Sequence, residues 1–153
     1  MTPADYMREI VLPTLAEFRE DRRSRRHAYL ACIVAFHIKD HLKQAGEKHP
    51  EEKLRAVTGG AFDLVRSVCN GAKHVVADKS HATAFTAGGD VDRPPAVAGQ
   101  MMVGLSFLGD AYGGRSIVAD DRLIDVYVCV WRVVAAAMSQ YPEHFREMKI
   151  FDL

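Results

Sequence analysis

The stretch "DDRLIDVYVCVWRVVAAAMSQ", residues 120–140, decides the fold class. Its valines and aromatics favour a strand, yet it is longer than an ordinary strand. The polar residues separate the two cases. Asp125 and Arg132 stand seven positions apart, which places them on one face of a helix but on opposite faces of a strand. The spacing predicts a helix, N-capped by Asp120 or Asp121. "YPEHFREM" adds a final turn after Pro142.

Upstream, "MMVGLSFLG" (101–109), "DAYGG" (110–114) and "RSIVA" (115–119) predict a strand, a glycine-containing turn and a second strand. Such a ribbon is barely stable alone and must lie against helices. From Asp78 to Gln100, including "TAGGDVDRPPAVAG", periodicity dissolves into Ala, Gly, Thr and Pro. Residues 79–100 are therefore expected to form a mobile loop.

Three further helices precede it. "TPADYMREIVLPTLAEFRED" (2–21) begins with Thr2 as N-cap and Pro3 at the first helical position, with Ile10, Val11, Leu15 and Phe18 at helical spacing. Pro13 should kink or split it. "RRSRRHAYLACIVAFHIKDHLKQAG" (22–46) is apolar almost all round between Tyr29 and Ile38, the mark of a central helix. The third runs from about Glu51 to Val76, with Leu54, Ala61, Val65, Val68, Ala72 and Val75 on one side and a potential break at Gly59 and Gly60. The expectation is a single all-α domain, 1–153: a four-helix bundle with a small β-hairpin inserted before the last main helix.

The 153 residues can bury a core without staples, and 20 basic residues balance 20 acidic ones. No overall field draws the chain to nucleic acid or anionic membrane, so RNA binding would need a local patch. Cys32, Cys69 and Cys129 are odd in number, far apart and set in apolar runs, as reduced buried thiols are. With no signal-like start and no spanning segment, the expected location is the cytoplasm, away from membranes.

The third helix carries the chemistry. Asp63, Arg66, Ser67, Asn70 and His74 share a stripe opposite the apolar one, flanked by Lys73. Solvated helix faces are usually Glu and Lys, whereas this one holds Asn, His, Ser and Arg. "CNGAKH", Cys69–His74, resembles the Asn-x-x-x-His half of the Arg-Asn-x-x-x-His motif of HEPN-superfamily domains. These are helical bundles, many of them metal-independent ribonucleases or RNA-binding partners that pair into dimers around a composite cleft. The resemblance implies catalytic roles for His74 (acid–base), Asn70 (positional) and Arg66 (phosphate), with Lys73 and Ser67 binding substrate. It also implies a homodimer, RNA as ligand and no cofactor. The motif's arginine position holds Cys69; Arg66 lies one turn earlier on the stripe. Histidine can donate or accept a proton near neutral pH, and a cation offsets charge on the phosphate. The alternative is a catalytically silent helical module that uses the same face for dimer or partner-protein contacts.

Two other groups draw notice. His37 and His41 stand at i, i+4, a spacing used by helical metal sites. They read first as half-buried, hydrogen-bonded histidines, so no metal is assigned; a metal-dependent bundle using His37, His41 and His74 is a third alternative. "RRSRRH" (22–27) reads first as a solvated basic patch that could touch phosphates; positive charge at a helix N-terminus is electrostatically unfavourable, which favours a functional or partner-driven reason for it.

Overall fold

The computed structural model describes residues 1–73, 89–119, 122–146 and 148. The chain is mostly helical and carries a small antiparallel sheet. In order come α1 (Pro3–Tyr6), a wide π-helical turn (Met7–Val11), α2 (Leu12–Glu20), α3 (Arg25–Gln44), α4 (Pro50–Thr58) and α5 (Ala61–Lys73). Strands β1 (Asp90–Arg93), β2 (Gly114–Ala119) and β3 (Arg122–Asp125) follow, then α6 (Val126–Gln140) and the single turn α7 (Pro142–Phe145).

The first helix starts as its sequence dictates. The Thr2 hydroxyl accepts from the Asp5 N–H, and the Asp5 carboxylate accepts from the Thr2 N–H, a complete capping box. Pro13 has no N–H to give and its ring presses on the carbonyl four residues back. The helix absorbs this without breaking: it widens over Met7–Val11, where the Leu12 N–H reaches the Met7 carbonyl, and resumes as α2. Met7, Val11, Leu15 and Phe18 are at most 1% exposed. Ile10, expected among them, faces outward at 36%.

α3 is the central helix. Ser24 caps it by accepting from the His27 N–H, and it packs against α2, α5 and α6. Ala28, Ala31, Cys32 and Ala35 are small enough to let these neighbours approach. The expected break in the next helix falls where the glycines are: Gly59 (φ +58°) and Gly60 (φ +91°) end α4 and allow α5 to start in a new direction. The α5 core face carries Ala61, Val65 and Val68, as the spacing predicted, together with Phe62, Leu64 and Cys69.

The sheet differs from the expected hairpin. Its order is β1-β2-β3, with Val91 opposite Ser116 and Ile117 opposite Ile124. Residues 101–109 form turns instead of a strand, with Gly104 and Gly109 both at φ +82°. The strand partners of β2 come from inside the expected loop and from inside the expected last helix. The reason lies in Asp125: its carboxylate accepts from the Val128 N–H, so it is the N-cap of α6 and the chain before it is free to stay extended. The helix over 126–140 is otherwise as predicted, though capped by neither Asp120 nor Asp121. Of the expected loop, residues 89–100 hold β1 and turns, and the remainder lies outside the described residues.

Arginine pairs fasten the sheet to the α2–α3 corner. Arg23 meets Asp92 at 2.8 Å and Arg25 meets Asp90 at 2.9 Å. The Arg115 backbone N–H donates to the Arg22 carbonyl and its Nε to the Arg23 carbonyl. Two of the arginines at the α3 N-terminus are thus paired with β1 carboxylates, in ion pairs that stay open to solvent. No helix among the described residues is long and apolar enough to cross a membrane.

Candidate functional site

A cleft of about 780 Å³ opens between the start of α5, β3 and the first two turns of α6. Its walls are mainly apolar, with Leu64, Leu123, Ile124 and Val128, and Phe107 stands at its edge, 39% exposed. Into this apolar surface project Arg22, Arg93, Arg122 and Arg132, with Asp63, Asp110 and Asp125. The size and the mix of apolar wall with few polar groups are those of a ligand site.

The charges fall into two sets. Arg93 is 1% exposed, and its guanidinium is spoken for on every side. Nη1 donates to Asp110, Nη2 to Asp125 at 2.6 Å, and Nε to the Ser116 hydroxyl at 3.1 Å. Its flat face lies 4.2 Å from the centre of the Phe107 ring. Burial alone would raise the Asp110 carboxyl; the bond from Arg93 and the N–H groups of Tyr112 and Gly113 outweigh it and hold it below the usual carboxylate range. Asp63 is likewise committed, to Arg55 at 2.9 Å. These pairs are structural.

The second set has no such partners. Arg122 and Arg132 are exposed and form no ion pair among the described residues. Arg22 lies with its guanidinium 4.1 Å from the centre of the Tyr127 ring, and its buried Nε has no hydrogen-bond partner among the described residues. A buried N–H without an acceptor costs about 1–3 kcal/mol, so an anion reaching it would recover that loss. The cleft therefore offers three guanidinium groups with no carboxylate partner among the described residues, set in a mainly apolar lining. Cys129 also lines it, but burial, followed by the Asp125 charge and opposed by Arg132, pushes its thiol up to about 11. It is no nucleophile at neutral pH.

The residues singled out on the third helix separate. Ser67 lines the cleft beside Asp63. Arg66 turns away and meets Glu51 of α4 at 3.1 Å. Asn70 is half-buried one turn further along. Lys73 closes the described part of α5, and His74 lies outside the described residues. His37 and His41 are drawn to different partners: His37 Nδ1 to Asp40 at 2.8 Å, and the His41 ring stacked on Tyr6 at 3.9 Å. Among the described residues they join no three-ligand group.

Arg22, Arg122 and Arg132 were not legible as a set in the sequence. They come from the α2–α3 corner, β3 and α6, so no local motif joins them; the one signal was the unexplained arginine run at 22–26. Comparison of the chain with protein-family models, with curated proteins and with solved structures finds no match.

Proposed function

We propose that this protein binds a nucleotide, free or within single-stranded RNA, in the cleft between α5, β3 and α6. The observation that carries this is the arginine triad. Arg22, Arg122 and Arg132 line the cleft with no ion pair among the described residues, while Arg93, the other cation that lines it, is already paired. Guanidinium groups suit phosphate, and an apolar floor ending in Phe107 suits a base, whose stacking on an aromatic ring is worth about 1–3 kcal/mol. The helical core of α3, α4, α5 and α6 supports a HEPN-like bundle, and Ser67 at the cleft wall would connect the α5 stripe with the ligand. Binding, not cleavage, is the part of that reading the cleft favours: Asp63, Asp110 and Asp125 are held in ion pairs and Cys129 stays protonated. Cleavage would rest on His74.

The test is fluorescence anisotropy of a labelled single-stranded RNA octamer, with mononucleotide as competitor and EDTA present. Displacement by mononucleotide alone identifies the cleft ligand as the nucleotide unit; binding of the octamer without displacement identifies the strand. Arg122→Ala and Arg132→Ala should each weaken binding about tenfold, as for loss of a charge-assisted contact. Unchanged affinity in both variants, or no binding of either ligand, refutes the proposal.

A second reading has its own observation. Met101, Met102, Val103, Leu108 and Tyr112 are all more than half exposed on one loop, Val103 at 98% and Leu108 at 93%. Exposed apolar groups gathered in this way fit the partner-protein or homodimer contact of an interaction module. Light scattering checks it: a dimer that Val103→Asp and Leu108→Asp dissociate supports this reading, and a monomeric wild type removes the homodimer.

A further inference from the structure

At the opposite end of the helices from the arginine cleft, the turn after α3 and the turn α7 bring together a second set of side chains. Glu47, Glu143 and His144 place one ligand atom each within 4.8 Å of one another. His144 Nε2 and Glu47 Oε1 are 3.0 Å apart, with side chains only 20% and 24% exposed. We propose that these three residues bind a divalent transition-metal ion of the zinc type, which clips α7 to the α3–α4 turn.

Several observations converge on the ligand. Two atoms bound to one zinc ion at about 2.0–2.1 Å in tetrahedral geometry lie roughly 3.4 Å apart, so the His144–Glu47 separation is already close to that of two ligands sharing an ion. Glu143 is exposed and free to swing the remaining distance. Two carboxylates and a neutral imidazole balance a charge of +2, and a mixed nitrogen and oxygen set suits zinc, cobalt or manganese better than calcium.

Tyr141 supplies an independent sign. It is 1% exposed, yet its hydroxyl has no hydrogen-bond partner among the described residues. Tyr141 opens α7, the turn that carries Glu143 and His144, and burial, followed by the charges of Glu47 and Glu143, raises its hydroxyl above the ordinary value. A buried hydroxyl left without a partner is costly, and a metal-bound water or the outer oxygen of a metal-bound carboxylate would satisfy it. An ordinary His–Glu ion pair would explain the 3.0 Å contact but not the orphaned hydroxyl.

Isothermal titration of the full chain with zinc chloride at pH 7.5 tests this. The expected result is one ion per chain, a rise in melting temperature with zinc, and visible absorption from cobalt in the same site. Glu143→Gln, at an exposed position with no ion pair among the described residues, keeps the fold and should lose at least about tenfold in affinity. His144→Asn should lose more. Saturable one-to-one binding that Glu143→Gln leaves unchanged overturns the assignment, and so does the absence of saturable binding in the wild type.

Discussion

Replacing Arg93 by methionine keeps most of the side-chain volume and removes the charge together with its hydrogen bonds to Asp110, Asp125 and Ser116, so it reports what the buried cluster contributes. In the native protein Asp110 and Asp125 are 15% and 12% exposed and share the one guanidinium. Breaking a buried pair from one side costs about 3–5 kcal/mol, because the partner left behind is desolvated and uncompensated. Two carboxylates would be left here, which argues for the top of that range. Each keeps backbone donors, however: Tyr112 and Gly113 N–H for Asp110, Val128 N–H for Asp125. The expected loss at pH 7 is therefore about 3–4 kcal/mol. Urea denaturation with a common m-value measures it. The pH dependence supplies the sharper check. In the wild type the Asp110 carboxyl is depressed, so its contribution is present above the ordinary carboxylate range and is lost as pH falls through the lowered native value. In Arg93→Met the main opposing interaction is gone and burial raises the same carboxyl, so the variant regains stability as pH falls toward about 4. The gap between the two proteins should narrow on acidification. A gap below about 1 kcal/mol at pH 7, or one that does not change with pH, would show that Arg93 is not holding two buried charges.

Gly113→Ala should cost about 2–4 kcal/mol, because φ is +71° and a Cβ would press on the Arg93 carbonyl oxygen and stand 2.9 Å from the Pro95 nitrogen; Gly46→Ala, at φ +97° in open space, should cost only about 1 kcal/mol. Equal melting shifts for the two would contradict the close approach. Burial, followed by the neighbouring Cys129 and Cys69, pushes the Cys32 thiol well above its ordinary value, and Cys129 is pushed to about 11. A thiol reagent at pH 8 should therefore reach neither until urea unfolds the chain, and rapid labelling of the native protein would refute their burial. If the RNA reading holds, affinity for the octamer should fall with a log–log salt slope of about −2, roughly 0.7 per arginine, and Arg132→Ala should make it shallower by about 0.7; a salt-independent affinity would remove the arginines from the interface.

Helices were legible where polar and apolar positions alternate at a clear period. The α5 pattern and the capping of α1 follow from Val65, Val68, Thr2 and Asp5 with no tertiary information. The glycine pair at 59–60 announced its own break. Strand pairing was not legible in the same way. β1 reads "DVDR", with two acidic residues in four, and carries no strand propensity of its own. It is extended because Asp90 and Asp92 are held by Arg25 and Arg23, residues more than sixty positions away, and because β2 offers it a ladder. Likewise Asp125 divides an apolar run into strand and helix through one hydrogen bond to Val128, a capping choice that three aspartates at 120, 121 and 125 could each have made.

The candidate site was hidden for a related reason. A sequence with 20 cations and 20 anions has no net field, and its charge count does not say which arginines are spent. Arg23, Arg25, Arg55, Arg66 and Arg93 each meet a carboxylate, and Arg66, the one placed in a catalytic role by motif resemblance, belongs to this group. Each committed arginine removes one acid from the balance as well. What survives at the cleft is a local excess: the Arg93 cluster with its two carboxylates is worth −1, Asp63 with Arg55 is neutral, and Arg22, Arg122 and Arg132 add +3, leaving +2. Such a local excess would draw an anion although the chain as a whole is neutral, and the mainly apolar lining would strengthen each contact by lowering the local dielectric. That combination, and not the polar content of one helix face, is the physical reason to look for a phosphate-bearing ligand here.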